Sequence, residues 1–383
     1  MKQYDAIVIG LGSMGSSTVY HLAKEGMSVL GLEQFDITHD QGSHAGQSRI
    51  IRKSYYEHPD YVPILERAYH NWRVLETITG VEVYHRTGLL YFGNPEHPLI
   101  KGSKLSASTY NIPFHPMNDE EVSIKYPHFE VPQDHEKWFE PDAGFVTPER
   151  AILLYVQLAM RLGADIQAKE KVLHWNRRPD GITVTTDKGV YTARKLIITA
   201  GPWAGKLIPT LSGNLSPSRQ VVAWVKPQNW KDFEMGNFPC WTLADGMKPG
   251  IYYGFPILDV GKFGGPIGLK LAYHYPTGKT DPDAVSRIIT EADEAEIRYI
   301  LDNFFPNSNA ELLTLKTCLY TNTPDENFII DFAPEQDEDV VIAAGFSGHG
   351  FKFASAVGEI MADLALKGKT FLPIGFLSAK RFA

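Results

Sequence analysis

The chain has 383 residues, 43% of them hydrophobic and 21% charged, with a formal net charge of -8. That length exceeds what one ordinary core needs and fits two domains, and an acidic chain without a long basic run excludes nucleic acid as its main partner. Two cysteines cannot build a disulfide framework, so they point to a reducing compartment and leave each thiol free or bonded to something other than protein.

"MKQYDAIVIG" carries an apolar run too short for a signal-peptide core and leads into a glycine turn, so residues 4–9 read as a first strand. No stretch reaches the roughly 18 apolar residues of a membrane span, and "SAKRFA" at the other end is no Ser-Lys-Leu address. A cytoplasmic protein with no membrane partner is expected. Gly10, Gly12 and Gly15 follow in G-x-G-x-x-G spacing, then a helical segment, then a strand ending at Glu33. Gly10 permits the tight turn, Gly12 lets backbone approach a pyrophosphate, and Gly15 lets the helix pack on the strand. The helix N-terminus offers free N–H groups to phosphates. Glu33 can accept from an adenosine ribose and would repel a 2′-phosphate, which leaves NAD and FAD.

"YVPILERAYHNWRVLETITG" and "TPERAILLYVQLAMRLGA" read as helices, the second with Thr147 as N-cap and Pro148 at its first position. "KLIITAGPWAG" is a third strand of the nucleotide sheet, closing on a glycine turn at Gly201. The stretches between are richer in aromatic residues and short β-type runs. The expected organisation is discontinuous: 1–80, 143–217 and 318–383 form a Rossmann-like nucleotide domain, and 81–142 with 218–317 form a mostly antiparallel substrate domain. The active site is expected where they meet. Near the C-terminus, residues 340–344 make another strand, followed by the glycine-rich turn Gly345, Gly348 and Gly350 and a helix. An NAD dehydrogenase has no use for this second turn. A flavin enzyme does, because a helix start with Lys352 beside it stabilises negative charge on a reduced flavin.

"GLGSMGSSTVYHLAKEG", "GSHAGQSRIIRKSYYE", "GIYYGFP", "GLKLAYH", "TCLYTNTPDENFIID" and "AAGFSGHGFKFASAVGE" together resemble the monomeric sarcosine oxidase family, with its relatives N-methyltryptophan oxidase and pipecolate oxidase. The likeness runs in order from Tyr4 to Gly368. It implies an α/β, D-amino-acid-oxidase-like fold and an FAD enzyme, monomeric, that oxidises a secondary amine on a small amino acid. Hydride would pass to flavin N5, dioxygen would be reduced to hydrogen peroxide, and the imine would hydrolyse, as sarcosine to glycine plus formaldehyde.

The resemblance also assigns residues. Cys318 matches a cysteine that tethers the flavin through its 8α carbon; by itself it would read as a buried thiol, the reading Cys240 keeps. Arg52 matches the residue that holds the substrate carboxylate, with Lys352 assisting and Arg49 near the flavin; a guanidinium fork suits a carboxylate. Ser43 and His44 are implied at the cofactor. In "GLKLAYH", Lys270, Ala272 and His274 share one side of a strand. Lys270 matches a lysine beside N5 that activates dioxygen, a role its charge suits; His274, Tyr253 and Tyr320 line the substrate site. No metal and no nucleophile is needed, and activity should rise with pH as the amine loses its proton.

Two positions depart from the family pattern. Ala45 stands where a second histidine is expected, which bears on flavin attachment, and Thr242 falls at a substrate-facing methionine. The substrate is therefore left as a small N-alkyl or cyclic amino acid, with sarcosine, N-methyltryptophan and pipecolate as the forms considered. The competing readings are a flavin dehydrogenase with another acceptor, a non-catalytic flavin-binding sensor and a plain NAD dehydrogenase.

Overall fold

The computed structural model describes residues 3–275, 278–334 and 337–382. The extreme ends of the expected nucleotide domain, 1–2 and 383, lie outside them. Among the described residues, one mixed sheet contains β1 (Gln3–Ile9), β2 (Val29–Leu32), β9 (Asp165–Gln167), β10 (Val172–Arg178), β11 (Gly181–Thr186), β12 (Val190–Ile198), β18 (Ile329–Phe332) and β19 (Val340–Ala344). Its parallel centre is β19-β12-β1-β2-β9. Alternate residues of β1 face opposite cores: Ala6 and Val8 pack with the helices Ser13–Lys24, Tyr61–Thr79, Pro148–Arg161 and Ala354–Lys367, while Ile7 and Ile9 pack on the other side with Ile208 and Leu211. Both faces are covered, as a parallel sheet requires.

The second sheet runs β17 (Glu311–Asn322), β13 (Ser216–Lys226), β16 (Leu269–His274), β15 (Ile251–Phe255), β14 (Cys240–Ala244), β5 (Leu89–Gly93), β7 (Glu136–Glu140) and β6 (His115–Met117). Only the β14–β5 pair is parallel among them. A small sheet of β3 (Arg49–Ile51), β8 (Gly144–Val146) and β4 (Tyr84–Arg86) lies in neither. No helix among the described residues is long and apolar enough to cross a membrane.

Two expectations need correction. The boundaries drawn at 217 and 317 cut through β13 and β17, which pair from Ser216 opposite Asn322 to Lys226 opposite Glu311 with one register shift between Trp224 and Val225. The ladder carries Cys318 and Tyr320 on a strand of the second sheet, not of the first. Thr147 does precede its helix, but its side chain makes no cap bond; the hydroxyl donates to the Val83 carbonyl at 3.3 Å.

Candidate functional site

The glycine turn after β1 follows from local sterics. Gly10 has φ +87°, and a Cβ there would lie 2.7 Å from the Thr199 carbonyl oxygen; a Cβ on Gly15 would fall 1.8 Å from the Gly10 oxygen. Gly15 therefore packs helix on strand, as its spacing predicts, and does not line the site. Beside the turn, the Glu33 carboxylate accepts from Leu11 N at 2.9 Å and Phe35 N at 3.0 Å. Burial pushes its pKa up against those amides. The two amides thus fix the position of the carboxyl group at the end of β2 before any ribose arrives.

These groups open into a cavity of about 360 Å³. Gly10, Gly12, Glu33, Ser43, His44 and Gly201 share its wall with Gly345, Gly348 and Gly350. Arg49, Arg52, Tyr253, His274, Cys318, Tyr320 and Lys352 also line it. His44 tests what the cavity suits. Its ring is 3% exposed and Nε2 has no hydrogen-bond partner among the described residues, while burial lowers its pKa to about 4, so the ring is neutral. A buried polar atom left in this way calls for a ligand group.

Elsewhere in the cavity, Arg52 Nη2 lies 2.8 Å from both oxygens of Glu57, and Nη1 donates to the Ser54 carbonyl at 3.0 Å. Its guanidinium also sits 4.3 Å and 4.6 Å from the centroids of Tyr55 and Tyr56. Burial opposes ionisation of Glu57, but Arg52, then His349 and Lys352, more than offset it and hold the carboxyl below its usual pKa. Burial, with Arg52 adding, brings the Lys352 ammonium down to about 7; it donates to the His349 carbonyl at 2.7 Å. His274 Nδ1 and the Tyr320 hydroxyl are 3.1 Å apart, and burial holds His274 near 4, uncharged.

Lys270 is the one expected catalytic residue outside the cavity wall. It is 2% exposed, and Nζ donates to Gly46 O at 2.5 Å, Ser48 O at 2.7 Å and Ser48 Oγ at 3.3 Å. Arg49 Nη1 reaches the same Ser48 carbonyl at 2.8 Å. The lysine thus stands directly behind a cavity residue and shares an acceptor with it. Thr242 lines the cavity with Ile50, Tyr56 and Ile251, its hydroxyl donating to Leu90 O at 3.2 Å.

Sequence reading missed Glu57, His349 and Glu149. Glu57 lies five residues after Arg52 in an irregular turn where no period links them. The Tyr55 hydroxyl pairs with His349 Nδ1. Glu149 accepts from the Gly46 and Gln47 amides.

The profile of the FAD dependent oxidoreductase family matches residues 5–364. The chain belongs to this family. It is 38% identical to a monomeric sarcosine oxidase from Streptomyces avermitilis, over 99% of this chain and 98% of that one. It is 34% identical to an N-methyl-L-tryptophan oxidase from Yersinia pestis, over 99% of both. The solved structure of NikD, an unusual amino acid oxidase essential for nikkomycin biosynthesis, superposes with a TM-score of 0.86 over 99% of this chain and 98% of that one, at 24% identity. The expected D-amino-acid-oxidase-like α/β fold and FAD-dependent amine oxidase class are met. FAD is the cofactor, and the residues present fit it: a glycine turn for pyrophosphate, an anchored Glu33 for ribose, an unpartnered His44 and a thiol on one wall.

Proposed function

We propose that this enzyme oxidises the amine of a small N-alkyl or cyclic amino acid, sarcosine first among them, and returns the electrons to dioxygen. The observation that carries this reading is that Arg52 and Lys352 share one cavity with a complete nucleotide turn and with Tyr253, His274 and Tyr320. A pair of cations answers a carboxylate. The uncharged His274 beside it leaves the amine free to lie deprotonated.

FAD, when bound, supplies a two-electron acceptor that dioxygen reoxidises. The substrate gives up a hydride and a proton, water hydrolyses the imine, and oxygen leaves as hydrogen peroxide. Arg52 and Lys352 orient the carboxylate, and Tyr253, His274 and Tyr320 enclose the amine and exclude water; burial, with Arg49 adding, pushes the Lys270 pKa well below the ordinary lysine value and Glu149 opposes that, and it is the ammonium form that favours oxygen reduction. Ser43, His44 and the glycines Gly10, Gly12, Gly201, Gly345, Gly348 and Gly350 hold the cofactor. Cys318 is its covalent tether: burial leaves the thiol pKa above its ordinary value, and Arg49, Lys270 and Arg287 offset part of that rise, towards the thiolate the bond requires. Thr242 lines the cavity with the apolar Ile50 and Ile251.

The sheet around β1 serves as the nucleotide domain and the sheet around β16 as the substrate domain. We also infer a monomer, as the name of the Streptomyces relative suggests, in the cytoplasm, as cysteine scarcity suggests. The test is a panel of sarcosine, N-methyltryptophan, pipecolate and proline, read anaerobically as loss of flavin absorbance, with acid precipitation of the parent and Cys318→Ala proteins. Bleaching by a panel member, and colour kept in the parent pellet and lost in the variant, are expected. No bleaching with any of them overturns the substrate class, and release of flavin by the parent overturns the tether.

A further inference from the structure

One oxygen of Glu149 accepts two consecutive backbone amides, Gly46 N at 2.7 Å and Gln47 N at 3.2 Å. In a trans peptide the N–H and C=O of one unit point in opposite directions. The unit ending at Gly46 N begins at the Ala45 carbonyl, which accepts from Arg49 Nη2 at 2.6 Å. The next unit ends at Gln47 N and begins at the Gly46 carbonyl, which accepts from Lys270 Nζ at 2.5 Å. A single carboxylate oxygen thus connects, through two aligned peptide dipoles, to two different cations, and such chains strengthen one another.

The loop does not hold this shape for free. Gly46 has φ +116° and Gln47 φ +73°; a non-glycine residue in the left-handed region persists only where its surroundings hold it. Gln47 is clamped by its side chain, which accepts from Trp224 Nε1 at 3.1 Å and donates to Gly264 O at 2.5 Å. Glu149 is clamped by its helix, lying at the second position of Pro148–Arg161, where a carboxylate is favoured.

We propose that Glu149 is the positioning residue of this site: by fixing two successive peptide planes it aims the Ala45 and Gly46 carbonyls at Arg49 and Lys270 and so holds both cations at the flavin. This rests on the reading of Lys270 as the cation that serves dioxygen. Glu149 touches neither cation directly and acts through the backbone.

The test uses the flavin-loaded Glu149→Ala and Glu149→Gln proteins beside Lys270→Met. Two quantities are read: the crystal structure of the loop, and the pH midpoint of the rate at which the reduced flavin is reoxidised by dioxygen. The charged or titratable groups acting on Lys270 are Arg49 of β3, Glu149, Cys240 of β14 and Cys318 of β17. In Glu149→Ala the Gly46 carbonyl is expected to turn from Lys270, reoxidation to slow at least tenfold, and the midpoint to move to lower pH, since an anion that favours the ammonium is gone. Glu149→Gln keeps an acceptor without the charge and is expected to keep the loop while its midpoint still falls. A Glu149→Ala protein with the Gly46–Lys270 bond intact and the parent midpoint overturns the proposal, even if it melts earlier. If Glu149→Ala does not fold, an unmoved midpoint in Glu149→Gln overturns it. Parent-rate reoxidation in Lys270→Met would instead remove the oxygen role of Lys270, and the positioning claim would then be decided by the loop structure alone.

Discussion

Arg52 Nη2 lies 2.8 Å from each oxygen of Glu57, inside the cavity proposed to receive the substrate carboxylate. On the proposed reading, substrate and Glu57 compete for one guanidinium. Replacing Glu57 by Gln leaves a buried cation without its partner, which costs about 3 kcal/mol, and frees Arg52 for an incoming carboxylate. The variant is expected to melt earlier than the parent, to bind a simple carboxylate such as propionate roughly tenfold more tightly, and to regain stability on binding it. Titration of the flavin spectrum with propionate gives the affinity, and weaker binding than in the parent would show that Glu57 does not compete.

Lys352 supplies a pH dependence with a definite sign. Its ammonium has a pKa of about 7 in the unliganded site, and a bound carboxylate favours the charged form. Affinity for propionate, which has no amine of its own, is expected to be level below that pH and to fall by up to tenfold per unit above it. Lys352→Met should bind weakly and lose that break. A parent affinity that is flat from pH 6 to 9 would contradict this.

Gly348 leaves room in the cavity wall for the rings of Tyr320 and His274. It has φ +80°, and a Cβ there would lie 2.4 Å from the Tyr320 ring and 2.7 Å from His274. Gly348→Ala must displace both, and since misplacement by about 1 Å costs on the order of 100-fold, kcat/KM per bound flavin is expected to fall by about that factor. Parent-like kcat/KM would mean that neither ring borders the substrate.

Buried histidines predict acid lability. His44 and His274 have pKa values near 4 and His349 near 3, in each case because burial disfavours the charged ring. The unfolded chain binds protons at these rings below about pH 6.5 and the folded one does not, so stability is complete above that pH and is lost as pH falls towards 4. Each ring contributes about 1.4 kcal/mol per pH unit across the window. Thermal melting between pH 7 and 4.5 checks this; a melting temperature that held level would contradict it.

The sequence made some of this site legible for local reasons. Gly10, Gly12 and Gly15 serve a turn whose geometry is set within six residues, and Lys270 and His274 share a side because a strand repeats every second residue. Glu149 meets Gly46 across 103 positions, and no period or motif encodes such a contact. Glu57 sits close to Arg52 in the chain but in an irregular turn, so the pairing emerges only in the folded chain. The domain edges failed for a different reason: composition changes near Pro217 and Thr317, while the hydrogen-bond ladder between β13 and β17 continues past both.

On the proposed function, electrons taken from a small secondary-amine amino acid go to dioxygen. The most direct test is to supply sarcosine to the flavin-loaded enzyme in air and to measure oxygen consumed, hydrogen peroxide formed and formaldehyde released. Equal amounts of all three are expected, with loss of turnover in Arg52→Ala. Oxidation of sarcosine that proceeds only with an added electron acceptor, without peroxide, would contradict it.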